Sequence, residues 1–234
     1  MKVLQFSGGI DSLATLFVKR PEWDSITVLW CDTGVCYPET YEYMDRISKL
    51  VPHFLRVKSY KESWEAKHGI AVDVVPEKYS SLGSLIFNNI GQKYTSMFHC
   101  CAANIWVPLE RASQQLGAKV IIRGQRQSDV AKAPIRSGHQ DSLGIQYEFP
   151  IEDWSRQQVL EYCKAECANL IPEYYALGER SSHDCWNCIA YLHDNVRRIQ
   201  NLPYERREVV RKRLRDYKTV LLNEQRPLME LTND

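Results

Sequence analysis

Val3-Leu4-Gln5-Phe6-Ser7-Gly8-Gly9-Ile10-Asp11-Ser12-Leu13-Ala14-Thr15-Leu16-Phe17-Val18 is the stretch that decides the fold. A short strand-like run leads through two glycines directly into a helix-like apolar segment. Such a turn sets a helix N-terminus at the end of a strand. Gly8 and Gly9 permit positive φ and a close backbone approach, and the helix N–H groups face an anion there. Ser12 is expected to cap the helix. The reading is a phosphate cradle, with a plain βα turn capped by Ser12 as its alternative. The spacing is not G-x-G-x-x-G, and it lacks the Gly-Lys-Ser/Thr ending of the Walker loop.

Strand-like and helix-like segments alternate after this turn. Residues 26–30 form a β-rich run that ends in Cys31-Asp32-Thr33-Gly34, and residues 38–50 have helical periodicity with Pro38 in the first turn. Residues 53–57 read as a third strand, 103–116 as a helix, 120–122 as a buried strand, 146–149 as a strand and 155–165 as a helix. This alternation predicts an α/β fold with a mostly parallel sheet covered by helices on both faces. Ligands in such sheets bind at the carboxyl ends of the strands, where Ser7 to Ser12, Asp32 to Gly34 and Gly124 to Arg126 all fall. Residues 69–99 show no clear periodicity.

Composition sets the limits. The 234 residues are 44% hydrophobic, enough for one sizeable core and a C-terminal appendage. Thirty Lys and Arg against 29 Asp and Glu leave a net charge of +1, so the total favours no polyanionic partner. No apolar run approaches the ~20 residues of a membrane span and no leader pattern opens the chain, so a cytoplasmic protein without membrane contact is expected.

In that reducing setting, eight cysteines point to metal ligands, reactive thiols or small buried hydrophobes. Cys185-Trp186-Asn187-Cys188 has metal-ligand spacing, and Cys100-Cys101 supplies a second pair. Adjacent cysteines diverge, so they suit a bulky cluster better than one tetrahedral ion; a redox dithiol or inert thiols are the alternatives. Cys163 and Cys167 stand at i and i+4 and read as core or partly exposed thiols without a task. Cys36 is either a sulfur-carrying nucleophile or a small buried hydrophobe.

Taken together the motifs resemble those of the phosphoadenosine phosphosulfate (PAPS) reductase family, within the PP-loop adenine nucleotide α-hydrolases, over about residues 1–195. The matching segments, in the family's order, are Ser7 to Ser12, Asp32-Thr33-Gly34 with Pro38-Glu39-Thr40, Cys100-Cys101 with Pro108-Leu109, Gly124-Gln125-Arg126, Phe149-Pro150-Ile151 with Asp153-Trp154, Ile171-Pro172, and Cys185 to Cys188. The resemblance implies a Rossmann-like domain over 1–195 and a basic helical extension over 196–234. In the adenosine phosphosulfate (APS) reductase branch, the cysteine pairs hold a 4Fe-4S cluster, which makes Cys100, Cys101, Cys185 and Cys188 the implied ligands.

Two departures shape the functional expectation. The chain ends Pro227-Leu228-Met229-Glu230-Leu231-Thr232-Asn233-Asp234, where family reductases carry a nucleophilic cysteine, and its Ser-Gly-Gly-x-Asp-Ser loop is intact, which implies ATP. The first expectation is cleavage of ATP to an adenylate and pyrophosphate with Mg²⁺, in support of sulfur transfer to a nucleotide or nucleic acid. A thiol-dependent APS or PAPS reductase using Cys36 or an external thiol is the alternative, and a non-catalytic nucleotide and iron-sulfur module is the third. Ser7, Gly8, Gly9 and Ser12 would hold phosphates, Asp11 would place Mg²⁺ or orient pyrophosphate, and Arg123, Gly124, Arg126 and Arg136 would surround the charge. Asp32, Thr33 and Gly34 would meet adenine or ribose. Asp11, Arg126 and Cys36 are the expected catalytic groups. His99, His183 and Asp184 flank the cysteines as candidate donors to a cluster. Arg207, Arg211, Arg215 and Lys218 form a helical stripe that fits either a nucleic acid backbone or a solvated face. The implied partners are an adenine nucleotide, a sulfur-donor protein or thioredoxin-like reductant, a nucleic acid at that stripe, and a second copy in a homodimer.

Overall fold

The structure, a computed structural model, describes residues 1–87, 91, 93–129, 135–175 and 185–232. Its strands are β1 (Lys2–Gln5), β2 (Ile26–Asp32), β3 (Phe54–Lys58), β4 (Ile70–Val72), β5 (Tyr94–Ser96), β6 (Val120–Arg123) and β7 (Gln146–Glu148). The helices are α1 (Ile10–Val18), α2 (Pro38–Leu50), α3 (Lys61–His68), α4 (Ser81–Ile86), α5 (Met97–Cys101), α6 (Val107–Gln115), α7 (Arg156–Glu166), α8 (Leu192–Asn201) and α9 (Tyr204–Thr232). The chain groups into two compact units, residues 1–59 with 105–184 and residues 60–104 with 185–234.

In the first unit the described residues form a five-stranded parallel sheet of order β3-β2-β1-β6-β7. Alternation along the strands divides its core. Leu4, Phe6, Val28, Trp30 and Ile122 face α1, α2 and α7, whose Leu13, Leu16, Met44, Ile47, Val159 and Cys163 complete that layer. Val3, Leu29, Cys31 and Ile121 face the other way, against Leu109 of α6. Both faces are thus covered, as βαβ crossovers demand. Gln5 is the polar exception, and its amide donates to Ser113 Oγ of α6 at 3.2 Å.

The order in which strands are added reverses about β1, which pairs with β2 on one side and β6 on the other. That is a topological switch point, and the crevice beyond it receives the loops after β1 and β6.

The helix expected over 103–116 is divided. α5 ends at Cys101, a wide π-type turn covers Ala102–Trp106, and α6 starts at Val107. Pro108 supplies the reason, since it has no N–H to continue the ladder and its ring fits only a first turn.

The second unit pairs β4 with β5 in parallel and adds α3, α4, α5, α8 and α9. Ala71, Cys100 and Ala190 form a small apolar centre with Trp64, Met97, Cys188 and Tyr191 against it. Tyr217 of α9 packs its ring 5.3 Å from Tyr94 and donates its hydroxyl to Val74 C=O at 2.7 Å. Asp73 caps α8 from a distance, accepting from Tyr191 N–H at 2.6 Å and Leu192 N–H at 3.0 Å. Among the described residues no helix is long and apolar enough to cross a membrane. Replacing Asp73 with Ala leaves both N–H groups without this acceptor. Loss of about 1 to 2 kcal/mol is expected in urea unfolding, and an unchanged midpoint would show the cap to be idle.

Candidate nucleotide site and cysteine centre

Gly8 has φ +85, a left-handed conformation open to glycine at little cost, while Gly9 in extended backbone is the N-cap of α1. Ser12 is not the cap. It lies in the first helical turn, donates to Gly9 C=O at 2.8 Å and stands 3.2 Å from Ser7 Oγ. Ser7 Oγ in turn accepts from Gly9 N–H at 3.3 Å. No side chain from the loop caps the helix. Instead, the Tyr175 hydroxyl accepts from Ile10 N–H at 3.0 Å, and Tyr174 donates to Gly8 C=O at 3.5 Å.

The loop after β6 presses on this turn. A Cβ at Gly124 would stand 2.6 Å from Asp11 C and 2.7 Å from both Asp11 O and Ser12 N. All three are backbone atoms, so only glycine lets the two segments approach this closely.

That approach brings charge together. Asp11 Oδ1 lies 2.8 Å from Arg126 Nε, and Oδ2 lies 3.5 Å from Arg156 Nη1. Arg126 is buried and also donates to Ser128 Oγ at 3.0 Å. Arg156 lies over the Tyr175 ring at 5.2 Å. Two guanidinium groups and one carboxylate at a helix N-terminus make a positive pocket suited to a phosphate or sulfate group. Sequence reasoning found Asp11 and Arg126 but not Arg156, Tyr174 or Tyr175. Arg156 has no motif around it beyond the capping box of Ser155 and Gln158 that starts α7.

The other expected contacts are already engaged. Asp32 is buried, and Oδ1 accepts from Gly34 N–H and Tyr41 Oη, both at 2.9 Å. Its Oδ2 accepts from Arg56 Nε at 2.9 Å. Burial pulls the Asp32 pKa upward, but the Gly34, Arg56 and Tyr41 donors outweigh it and hold the carboxyl below its ordinary value. Cys36 is buried, with Sγ 3.5 Å from Thr33 Oγ1 and 3.9 Å from Asp32 Oδ1, a neighbour that opposes a thiolate. Arg123 is paired with Glu110, donates to Gln5 Oε1 at 2.7 Å and lies 5.2 Å from the Tyr147 ring centre. Arg136 is exposed and pairs with Glu152 and Asp153. Residues 132–134 of the same segment lie outside the described residues.

The second unit gathers the cysteine pairs. Cys100 and Cys188 belong to one apolar centre, and Cys101 Sγ lies 3.7 Å from Tyr191 Oη beside it. The C-x-x-C turn closes by Cys188 N–H to Cys185 C=O at 3.2 Å. Asn104 Nδ2 donates to Cys100 C=O at 3.0 Å and lies 3.8 Å from its Sγ. Lys61 is buried beside these residues, paired with Glu65 and donating to Asn187 Oδ1 at 2.8 Å. Burial pushes the Cys100 thiol up to about 12, against the opposing pull of the Lys61 ammonium. His99 is taken up by Trp64 at 5.1 Å and by Thr95 Oγ1 at 3.2 Å from Nδ1. His183 and Asp184 lie outside the described residues. Among the described residues no three His, Cys, Asp or Glu side chains are placed to hold a metal ion.

In the C-terminal stripe, Arg211 pairs with Glu208 at 3.0 Å and Arg207 donates to Gln200 C=O at 3.0 Å. Lys212, beside the stripe, pairs with Asp216 at 3.3 Å. Within the stripe, Arg211 thus has an acidic partner and Arg207 a backbone carbonyl.

The sequence model of the phosphoadenosine phosphosulfate reductase domain matches residues 2–190. The chain belongs to that family. It is 27% identical over 194 residues to the phosphoadenosine 5'-phosphosulfate reductase of Baumannia cicadellinicola, covering 79% of this chain and 71% of that protein. The enzyme of the same name from Proteus mirabilis is 26% identical over 166 residues, covering 69% of this chain and 60% of that protein. A crystal structure of the Candida auris PAPS reductase in complex with phosphate matches with a TM-score of 0.52 at 19% identity, covering 78% of this chain and 80% of that one. This last likeness concerns the fold: a mostly parallel, Rossmann-like sheet with helices. Within this PAPS reductase-family domain, Asp11 with Arg126 and Arg156 is the charged centre at the sheet's switch point.

Two outcomes follow from this geometry. Gly124→Ala forces backbone apart at Asp11, so loss of about 1 to 3 kcal/mol of stability is expected in thermal unfolding, and an unchanged midpoint would show that the contact is not tight. Asp32 has a folded pKa below its unfolded one, so its stabilisation is present above the unfolded value and fades as pH falls through the folded one. Asp32→Asn is therefore expected to cost about 1 to 3 kcal/mol at pH 7, with the gap closing toward pH 3; a gap independent of pH would refute the charge-based account.

Proposed function

We propose that the first unit binds an adenylyl sulfonucleotide, APS or PAPS, at Ser7 to Ser12 and passes its sulfo group to a thiol. The family match to proteins named phosphoadenosine phosphosulfate reductase carries this reading, and the positive pocket around Asp11 supports it. A thiolate attacks the sulfonyl sulfur, an S–S bond forms, the S–O bond to phosphate breaks, and the adenosine phosphate leaves with the electron pair. A second thiol then displaces sulfite and closes a disulfide, so a dithiol of thioredoxin type is the electron donor. Cys36 is buried against a carboxylate, so the attacking thiol is assigned to the external dithiol. Arg126 and Arg156 neutralise charge on the leaving phosphate, and Asp11 keeps both guanidinium groups in place.

A second reading is favoured by the loop itself. Gly8 in the left-handed region and the Ser7 and Ser12 hydroxyls at 3.2 Å form a cradle roomy in donors for the β and γ phosphates of ATP. Asp11 would then help to place Mg²⁺, and the products would be an adenylate and pyrophosphate for sulfur transfer.

The second unit is assigned a 4Fe-4S cluster on Cys100, Cys101, Cys185 and Cys188. The reading is supported by donor chemistry, four thiols in one unit with a buried ammonium and a buried amide Nδ2 of Asn187 that has no hydrogen-bond partner among the described residues. Such a cluster supplies buried negative charge and one-electron capacity.

The deciding assay incubates anaerobically purified protein with APS or PAPS and reduced thioredoxin and measures sulfite, with ATP and Mg²⁺ in parallel for pyrophosphate. Sulfite is expected, and Arg126→Met is expected to lower kcat/KM by about 10² to 10³. Asp11-dependent pyrophosphate without sulfite would move the assignment to ATP cleavage. Nucleotide binding with neither product would leave a binding module.

A further inference from the structure

The phosphate turn of the first unit is closed on itself. Ser7 Oγ donates to Ser12 Oγ at 3.2 Å, Ser12 Oγ donates to Gly9 C=O at 2.8 Å, and Gly9 N–H donates back to Ser7 Oγ at 3.3 Å. Both hydroxyl protons of the turn thus have acceptors within it. The first N–H of α1, that of Ile10, is taken as well, by the Tyr175 hydroxyl at 3.0 Å. A helix start binds phosphate through N–H groups that the helix itself leaves unpaired. Here the first of them meets a side chain 165 residues further along the chain.

Tyr175 is braced in that position. Its ring packs against the core layer that holds α1 and α7, the Arg156 guanidinium lies over it at 5.2 Å, and the Tyr174 ring centre stands 4.5 Å away. Burial raises its pKa above the ordinary tyrosine value, so the hydroxyl is neutral at pH 7 and takes no charge from Arg156. A phosphate oxygen that reached Ile10 N–H would have to displace this hydroxyl. Charge points the same way. Asp11 pairs with Arg126 at 2.8 Å and with Arg156 at 3.5 Å. Two guanidinium groups less one carboxylate leave a single positive charge, which matches one phosphoryl or sulfo group better than the clustered charges of a triphosphate.

We propose that Tyr175 is a selectivity residue of this site: its hydroxyl closes the start of α1 to a second phosphate. The intact Ser-Gly-Gly-x-Asp-Ser loop then accepts a nucleotide with one phosphate at the 5′ position, bare or joined to a sulfo group, and disfavours ADP and ATP. This rests on the reading of the first unit as an adenylyl sulfonucleotide site. The selectivity lies outside the loop, in the segment after Pro172, and a single oxygen atom carries it.

The test titrates the full chain by calorimetry with AMP, APS, ADP and ATP, without Mg²⁺ and with it. The set is repeated on Tyr175→Phe, which removes the hydroxyl and keeps the ring beneath Arg156. Wild type is expected to bind AMP and APS at least as tightly as ATP. Tyr175→Phe is expected to raise the ratio of ATP affinity to AMP affinity about tenfold, because Ile10 N–H is released to the longer ligand. A merely structural hydroxyl would change all four affinities alike, and an unchanged ratio overturns the inference. A wild type that binds ATP more tightly than AMP overturns it too, and this comparison decides if Tyr175→Phe does not fold. Folded wild type that binds neither AMP nor APS overturns the nucleotide site and the inference with it. Absence of sulfite in the thioredoxin assay, with the shift in ratio intact, overturns the sulfonucleotide reading alone.

Discussion

The first unit depends on one backbone-to-backbone contact, the seat of Gly124 against Asp11 and Ser12. β1 pairs in register with β6 from Lys2 opposite Val120 to Gln5 opposite Arg123, so both strands deliver their loops to the same edge. Nothing larger than hydrogen on Gly124 lets those loops close on each other. Once they close, Arg126 two residues on lies against Asp11, and α7 brings Arg156 to its other oxygen. Sheet order, one glycine and two helix starts thus converge on a carboxylate outnumbered by cations.

That excess of cations makes the loop suited to an anion. Backbone N–H groups at a helix start bind oxyanions of many kinds, and a guanidinium pair adds charge and planar donors. Asp11 orders the two arginines without cancelling them. Tyr175 takes one helix N–H and carries Arg156 on its ring, which ties the segment after Pro172 to the same turn.

Much of the first unit was legible in the sequence because its signals are local. The glycine pair between a strand and a helix, Pro38 at the start of α2 and the apolar run of β6 each determine their own element. Ser12 misled because hydroxyl residues favour caps, whereas here the chain enters the helix through Gly9 and Ser12 turns back to its carbonyl. The helix over 103–116 ignored Pro108, which moves the start of α6 to Val107. Residues 60–104 were opaque for a different reason. β4 and β5 have three residues each and pair with one another, and strands that short carry no measurable alternation. Arg156 was missed because its ion pair with Asp11 joins distant segments and leaves no spacing to read, and the hydrogen bond from Lys61 to Asn187 leaves none either.

Two buried acid clusters differ in how completely their polar groups are paired. Asp32 meets Gly34 N–H, Tyr41 Oη and the Arg56 guanidinium, so both of its oxygens are satisfied and the turn after β2 is fixed by a closed set. Glu65 is shared by Lys61 and Arg213, and Asn187 Nδ2 has no partner among the described residues, so that set is less completely paired.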